Sequence, residues 1–334
     1  ITVETFFHPE DKALASPYLE AAGKYITEYS KLLGPYPYER FSIVSNFFST
    51  GYGMPSFTLL GRRVIQTMHT QEYALGHEIV HNWWGNGVFV DWQKGNWCEG
   101  LTTYCANYYW LELRNGIDSP EAVEYRRKSL QRYKIYVTED KDYEPVKFTS
   151  KKEETDNEVG YTKMMMFFHQ LRLVVGKETF FSALRTFYSE YLGKKASWED
   201  IREVLERVSG KDLENLFDQW LHRKGLPAVS IADASFSEHE EGYKVELEVE
   251  QTGEPWDVIL EVVVRTRKGI TNRTVRLASE RQQYELELDA KPTGVALDPD
   301  AHLLRDLDKR EVRPCLNKSL WFEKPTLIVY SPGP

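Results

Sequence analysis

The strongest constraint on the fold is a change of rhythm at Pro227. From Gln71 to Arg223 helix signals dominate, whereas downstream the apolar and charged residues alternate. A helix buries one face every 3.6 residues and a half-buried strand buries every second residue, so the two rhythms require two differently built units. "YKVELEVE" (Tyr243 to Glu250) and "YELELD" (Tyr284 to Asp289) are the clearest strands. "VILEVVVRT" and "TVRLAS" add strand material, with Gly253, Gly269 and Gly294 at turns. This region reads as an antiparallel β-sandwich, with one face buried and one wet. The expected division is 1–226, 227–313, and a proline-rich stretch 314–334 that is an extension or the start of a further domain.

Ahead of the helical run, Ser16-Pro17 reads as an N-cap with a first-turn proline. Leu19, Ala22, Ile26, Tyr29 and Leu33 then trace a helical stripe that stops at Gly34-Pro35. Phe41 to Phe48 and Phe57 to Thr67 read as strands joined by the glycine-rich "TGYGMPS". Ser119-Pro120 opens one helix, and Ser197 with Asp200 forms a capping box for another. Gly116, Gly176, Gly193, Gly210 and Gly225 are the expected stops.

The 334 residues suit two domains, and 41% apolar with 13% aromatic residues supplies ample core. Charged residues at 28% and a mean hydropathy of -0.51 describe a soluble globular chain. A net charge of -9 argues against nucleic acid as a partner, since phosphate binding needs a basic face. No apolar run reaches the ~20 residues of a membrane span. Three cysteines (Cys98, Cys105, Cys315) are no disulfide framework and leave the compartment open, and the sequons at Asn272 and Asn317 matter only in a secreted eukaryotic protein. A chain that starts at Ile1 reads as a piece of a longer one, with any targeting segment upstream.

"HEIVHNWWGNG" (His77 to Gly87) carries the chemistry. On a helix, residues four apart share a face, so His77 and His81 can aim imidazole nitrogens at one ion. Glu78 lies beside that pair without joining it, placed to take a proton from attacking water and pass it to a leaving amine. By average residue usage a chance H-E-x-x-H arises in roughly one in a hundred chains this long, and the apolar Ile79 and Val80 suit a packed helix. Zinc needs a third protein ligand. Asp91, in a loop or edge strand, and Glu99, in a helical stretch with Leu101, Tyr104, Tyr108 and Leu111 on one face, are the candidates. A ligand on a packed helix is better fixed than one on a loop, but spacing leaves both open.

"HEIVHNWWGN" followed by "NWCEGLTTY" (Asn96 to Tyr104) resembles the zinc signature of the aminopeptidase N family of gluzincin metallopeptidases, H-E-x-x-H and then, after a set interval, glutamate and glycine. The interval here is one residue shorter than usual, a shortfall that falls in the connecting "VDWQKGNW". The resemblance implies His77, His81 and Glu99 as ligands of one zinc ion per chain and Glu78 as general base, leaving Asp91 a structural role. "EVGYTKMMMFFHQLRLVVG" (Glu158 to Gly176) is similar to the family segment whose tyrosine steadies the oxyanion, matched here by Tyr161. "LENLFDQWLHRKGLP" and "GVALDPDAHLL" resemble the ends of the family's catalytic and following β-domains. The implied fold class is α+β: a thermolysin-like, mainly helical zincin domain with a small β-layer, then an antiparallel β-sandwich. The family's β-rich N-terminal domain is absent.

One departure matters. The family's G-x-M-E-N loop lines the cleft, and its glutamate binds the substrate's free amine. Here "GYGMPSFTLLG" (Gly51 to Gly61) aligns through Met54, with Pro55 at the glutamate and Ser56 at the asparagine. Gly53 and Met54 remain candidates for contacting a peptide substrate. The expected activity is zinc-dependent peptide hydrolysis of aminopeptidase type. The rivals are an endopeptidase or another zinc hydrolase, such as an epoxide-opening one, and a catalytically silent scaffold. Trp83, Trp84, Trp92 and Trp97 are expected to wall the site and fill the core, and Met164 to Met166 to pack a helix. Cys98 is not expected as a ligand. His169, His222, His239 and His302 belong to no motif and read as surface or structural. Oligomeric state is not legible.

Overall fold

Helix α1 (Ala15–Leu33) follows its apolar stripe. Tyr18, Ala22, Tyr25, Ile26, Tyr29 and Leu33 are buried, and Gly34 ends the helix with its N–H on the Ser30 carbonyl. Its start differs from expectation: a 3-10 turn at Pro9–Leu14 runs directly into it. Ser16 and Pro17 therefore lie exposed within the first turn rather than capping it, and Tyr18 replaces the half-buried Leu19 in the stripe. This computed structural model describes residues 1–313 apart from 49, 68, 69 and 241, so Cys315, Asn317 and the stretch 314–334 fall outside it.

Four strands, β1 (Thr2–Phe6), β2 (Arg40–Asn46), β3 (Gly51–Met54) and β4 (Phe57–Gly61), form one sheet in the order β1-β2-β4-β3. β3 is an edge strand antiparallel to β4, and the other pairs are parallel. Two expectations change here. The glycine-rich stretch is itself a strand, because Pro55 and Ser56 (φ 69°) make a two-residue turn that folds it back on β4. The strand expected to reach Thr67 stops at Gly61 and becomes helix α2 (Arg62–Gln66), which the Asp11 carboxylate holds through Arg62 at 2.6 Å and Gln66 at 2.8 Å.

Helices α3 (Thr70–Val80), α4 (Cys98–Thr103), α5 (Tyr109–Asn115), α6 (Pro120–Tyr136), α7 (Glu154–Asp156), α8 (Met164–Val175), α9 (Lys177–Tyr191), α10 (Trp198–Ser209) and α11 (Glu214–His222) build the rest of this half. A short ribbon of β5 (Phe89–Val90) and β6 (Lys195–Ala196) joins them. Ser119 caps α6 by accepting from the Ala122 N–H, Ser197 and Asp200 form the capping box of α10, and Gly116, Gly176 and Gly210 sit at helix ends. Met164, Met165 and Met166 are buried, as are Trp83, Trp84 and Trp97. Trp92 is the exception at 58% exposed, because it lies on a 3-10 turn outside the core.

Beyond Pro227, β7 (Ala228–His239), β8 (Gly242–Thr252), β9 (Val258–Thr266), β10 (Ile270–Leu277), β11 (Arg281–Leu288) and β12 (Pro292–Leu297) form two antiparallel three-stranded sheets, β11-β8-β7 and β10-β9-β12. Val245, Leu247 and Val249 of β8 and Val258, Leu260, Val262 and Val264 of β9 are buried between them. Gly294 lies inside β12 at a register shift and not at a turn.

The two halves are hydrogen-bonded to each other. Gln170 donates to the His302 carbonyl at 2.9 Å, Arg126 to the Asp300 carbonyl at 2.8 Å, and the buried His169 and His302 rings meet at 3.0 Å. Those two histidines are structural, as expected, and they pair with each other, which no local motif announces. His222 and His239 are exposed. Among the described residues no helix is long and apolar enough to cross a membrane.

Candidate active site

Helix α3 and the turn after it place His77, Glu78 and His81 side by side, with His81 donating its backbone N–H to the His77 carbonyl at 3.2 Å. The second position of α4 supplies Glu99. Its Oε2 lies 3.4 Å from Nε2 of His77 and 3.4 Å from Nε2 of His81. The ligand atoms of these three half-buried residues all fall within 4.8 Å of one another. Asp91 is elsewhere, capping the turn at Trp92–Lys94 through the Gln93 N–H.

The far side of each imidazole decides what the near side can do. Nδ1 of His77 faces Asn107 Oδ1 at 2.9 Å, and Nδ1 of His81 faces the Trp84 carbonyl at 3.1 Å. Both partners accept, so each ring keeps a proton on Nδ1 and turns Nε2 toward Glu99, where either a second proton or a metal ion can sit between them. Cys98 sits behind His81, with its thiol 3.3 Å from Nδ1 and donating to the Trp84 carbonyl, away from the cluster's centre. Glu99 Oε2 is buried and has no hydrogen-bond partner among the described residues. Its near polar neighbours include the two imidazole Nε2 atoms, so a cation seated among the three would satisfy it. Ligands ~2.0–2.1 Å from a tetrahedral ion sit about 3.4 Å apart, which is the spacing found, so these residues fit a zinc ion. Burial pushes the Glu99 carboxyl up, but the imidazoles, His81 foremost, when they carry their second protons, pull it well below the usual carboxylate range.

Tyr161 stands over this cluster, its ring stacked 6.2 Å from that of His77 and edge-on to Phe148. Burial first, and then the negative Glu99, hold its phenol up and neutral. It lies in a π-helical segment, Asn157–Lys163, and Asn107 lies in another, Tyr104–Tyr108. Such wide turns rotate a side chain out of the helical register, which is why spacing arguments missed Asn107. The close packing at Gly100 explains the glycine after Glu99. A Cβ there would sit 2.3 Å from Met164 Cβ, so only glycine lets α4 approach the segment carrying Tyr161 this closely.

On the other side the edge strand β3 passes directly against the cluster. A Cβ at Gly51 would lie 2.7 Å from Glu78 Oε1, and one at Gly53 would lie 2.9 Å from His81 Cβ and 3.0 Å from Glu78 Oε2. Asn82, a residue the sequence did not single out, pins this strand: its Oδ1 accepts the Ser56 N–H at 2.9 Å and its amide donates to the Ile79 carbonyl. Met54 is half-buried, and Pro55 is exposed at the turn. A cavity of about 470 Å³ opens beside His77, Glu78 and Tyr161.

Residues 19–220 match the model of the peptidase family M1 domain, and the chain belongs to that family. It is 26% identical over 162 residues to Aminopeptidase 2, mitochondrial, of Saccharomyces cerevisiae, covering 47% of this chain and 17% of that protein. It is 26% identical over 231 residues to Aminopeptidase O of Homo sapiens, covering 59% of this chain and 28% of the relative. The crystal structure of Legionella pneumophila aminopeptidase A in complex with aspartic acid superposes with a TM-score of 0.64 at 16% identity. The superposition covers 90% of this chain and 36% of that one. The chain thus spans less than a third of the length of these curated relatives.

Proposed function

We propose that this chain carries the hydrolytic centre of a zinc-dependent metallopeptidase, with His77, His81 and Glu99 holding one zinc ion. The observation that carries this reading is the convergence of Glu99 Oε2 on the Nε2 atoms of His77 and His81, each 3.4 Å away, at the spacing of ligands around one ion. A zinc ion so held polarises a carbonyl and lowers the pKa of water toward neutrality. The chain's own groups do the rest. Glu78, outside the ligand set and beside it, accepts the proton of the attacking water and returns it to the leaving amine. Tyr161, neutral in a partly dry cleft, donates a hydrogen bond to the oxygen on which negative charge develops. The outer edge of β3, held by Asn82, offers backbone groups to an extended peptide near Gly53 and Met54. Residues 1–226 form the unit that contains this site, and 227–313 the sandwich that buttresses it.

The relatives' names support cleavage from the amino end of a peptide. Pro55 favours a second reading, in which no free amine is needed: an exposed proline offers neither charge nor N–H where the resemblance implies an amine-binding glutamate. Mass spectrometry of products from one peptide in free and N-acetylated forms separates the two readings. Stepwise loss of residues from the free form alone supports the aminopeptidase, and equal cleavage of both supports internal action. Glu78→Gln tests the shared chemistry. The variant keeps its zinc and loses ~10²–10⁴-fold in kcat. A variant as active as the parent removes Glu78 from the role, and purified parent protein without zinc favours the silent scaffold.

A further inference from the structure

The cavity beside His77, Glu78 and Tyr161 has a second wall that the hydrolytic chemistry does not use. Helix α6 contributes Lys128, Ser129 and Arg132 to it. Lys128 and Arg132 are four residues apart and so share one helix face. Glu78 is the only carboxylate among the described residues that line this space. A net charge of -9 makes such a local pair of cations a departure from the rest of the chain.

Lys128 is only loosely engaged by its neighbours, and Arg132 is engaged along one edge only. The side chain of Lys128 is 70% exposed, and its nearest carboxylate, Glu124, stands 4.0 Å away while Arg313 holds that carboxylate at 3.1 Å. Arg132 is fixed by its Nε, 2.9 Å from Oε1 of the fully buried Glu158, and by its Nη2, which bonds the same oxygen and lies 3.6 Å from Glu154 Oε2, while the Tyr136 ring lies 5.5 Å from the guanidinium. Its Nη1 has no hydrogen-bond partner among the described residues. A guanidinium pinned along one edge is pre-organised to offer the other, and a mobile ammonium beside it completes a carboxylate-binding pair.

We infer that this cavity recognises a carboxylate on the substrate through Lys128 and Arg132. The inference rests on the peptidase reading and deepens it: the cleft that lacks an amine-binding glutamate at Pro55 selects a negative group in place of a positive one. In a peptide that group is the free C-terminus or an Asp or Glu side chain near the cut.

The test is a set of matched peptides, each with a free C-terminus against its amide and with Glu against Gln at successive positions. kcat/KM is measured with the zinc-loaded protein. The same pairs are titrated calorimetrically into the Glu78→Gln protein, which binds without turning over. The carboxylate form is expected to be favoured about fivefold in both measurements, the size of a well-placed but solvent-exposed ion pair, and less at about 0.5 M salt, where the screening length shrinks to roughly 4 Å. Which arm shows the effect identifies the C-terminus or the side chain as its source. Lys128→Met brings the ratio to about one. Lys134→Met on the same helix, whose ammonium sits on Asp306, does not change it. Equal treatment of both members of every pair overturns the inference, as does a preference that survives Lys128→Met. Failure to cleave any peptide refutes the peptidase reading instead, and the titrations still decide between carboxylate and neutral twin.

Discussion

Asn107 Oδ1 accepts the Nδ1–H of His77 at 2.9 Å, orienting one imidazole of the His77–His81–Glu99 cluster from 30 residues away in the chain. Removing such a partner typically costs ~10–100-fold in metal affinity. Asn107→Ala is therefore expected to release zinc to a competing chelator at 10- to 100-fold lower chelator activity, while Asn107→Asp, which still accepts, retains it. Identical zinc affinity in the alanine variant would show that His77 is oriented by packing alone.

Gly53→Ala places a methyl 2.9 Å from His81 Cβ and 3.0 Å from Glu78 Oε2. Something must shift, and misplacing a reacting group by even an ångström costs on the order of 10² in rate. kcat/KM is expected to fall by about that factor. Gly23→Ala makes the contrast. It lies within α1 with nothing inside 4 Å of the new methyl, so the helix gains ~1 kcal/mol and unfolds at higher urea. A Gly53 variant with full activity would mean that β3 yields freely and does not frame the cleft.

Tyr161→Phe keeps the ring stacked on His77 and removes only the hydroxyl. If that hydroxyl steadies the oxyanion, kcat drops ~10²–10³-fold with KM little changed. Equal losses in substrate binding and none in kcat would assign Tyr161 to packing.

His169 and His302 meet at 3.0 Å between Arg126 and Arg172, in a buried cluster that also holds Glu112. Burial, and then the two guanidinium charges, push His302 down to about 3 and His169 well below its ordinary value. Asp298 moves the other way, raised by burial to about 7 against the hydrogen bonds it accepts from the Leu303 and His302 N–H groups. Between about pH 4 and 6.5, unfolding adds a proton to each histidine and takes one from Asp298, for a net uptake of about one. The unfolded chain binds more protons, so stability from this cluster falls on acidification by about 1.4 kcal/mol per pH unit. Urea midpoints at pH 6.5 and 5 measure it. His302→Gln removes one uptake and flattens the difference, and an unchanged slope would show that the pair does not control it.

The alternating strands β8 and β11 and the stripe of α1 were legible because each buries one face at a regular period, and β9 was legible as a short run of β-branched residues. β7, nearly all exposed along its second half, and β12, which contains a proline and a register shift, have no such period and went unread. β3 was hidden for another reason. Its glycines look like a loop, yet they are there because Glu78 and His81 leave no room for side chains.

Local spacing by itself determined the candidate metal pair and its neighbouring base, since one helical turn carries His77 onto His81 whatever surrounds it. It left the third ligand open between Asp91 and Glu99, and the family resemblance pointed to Glu99. Tertiary structure decided which candidate faces the pair, which nitrogens point inward, how close β3 passes and where α6 sets its cations. Most of those relations join residues distant along the chain, through π-turns and a sheet edge, and no periodicity along the chain encodes a distance across it.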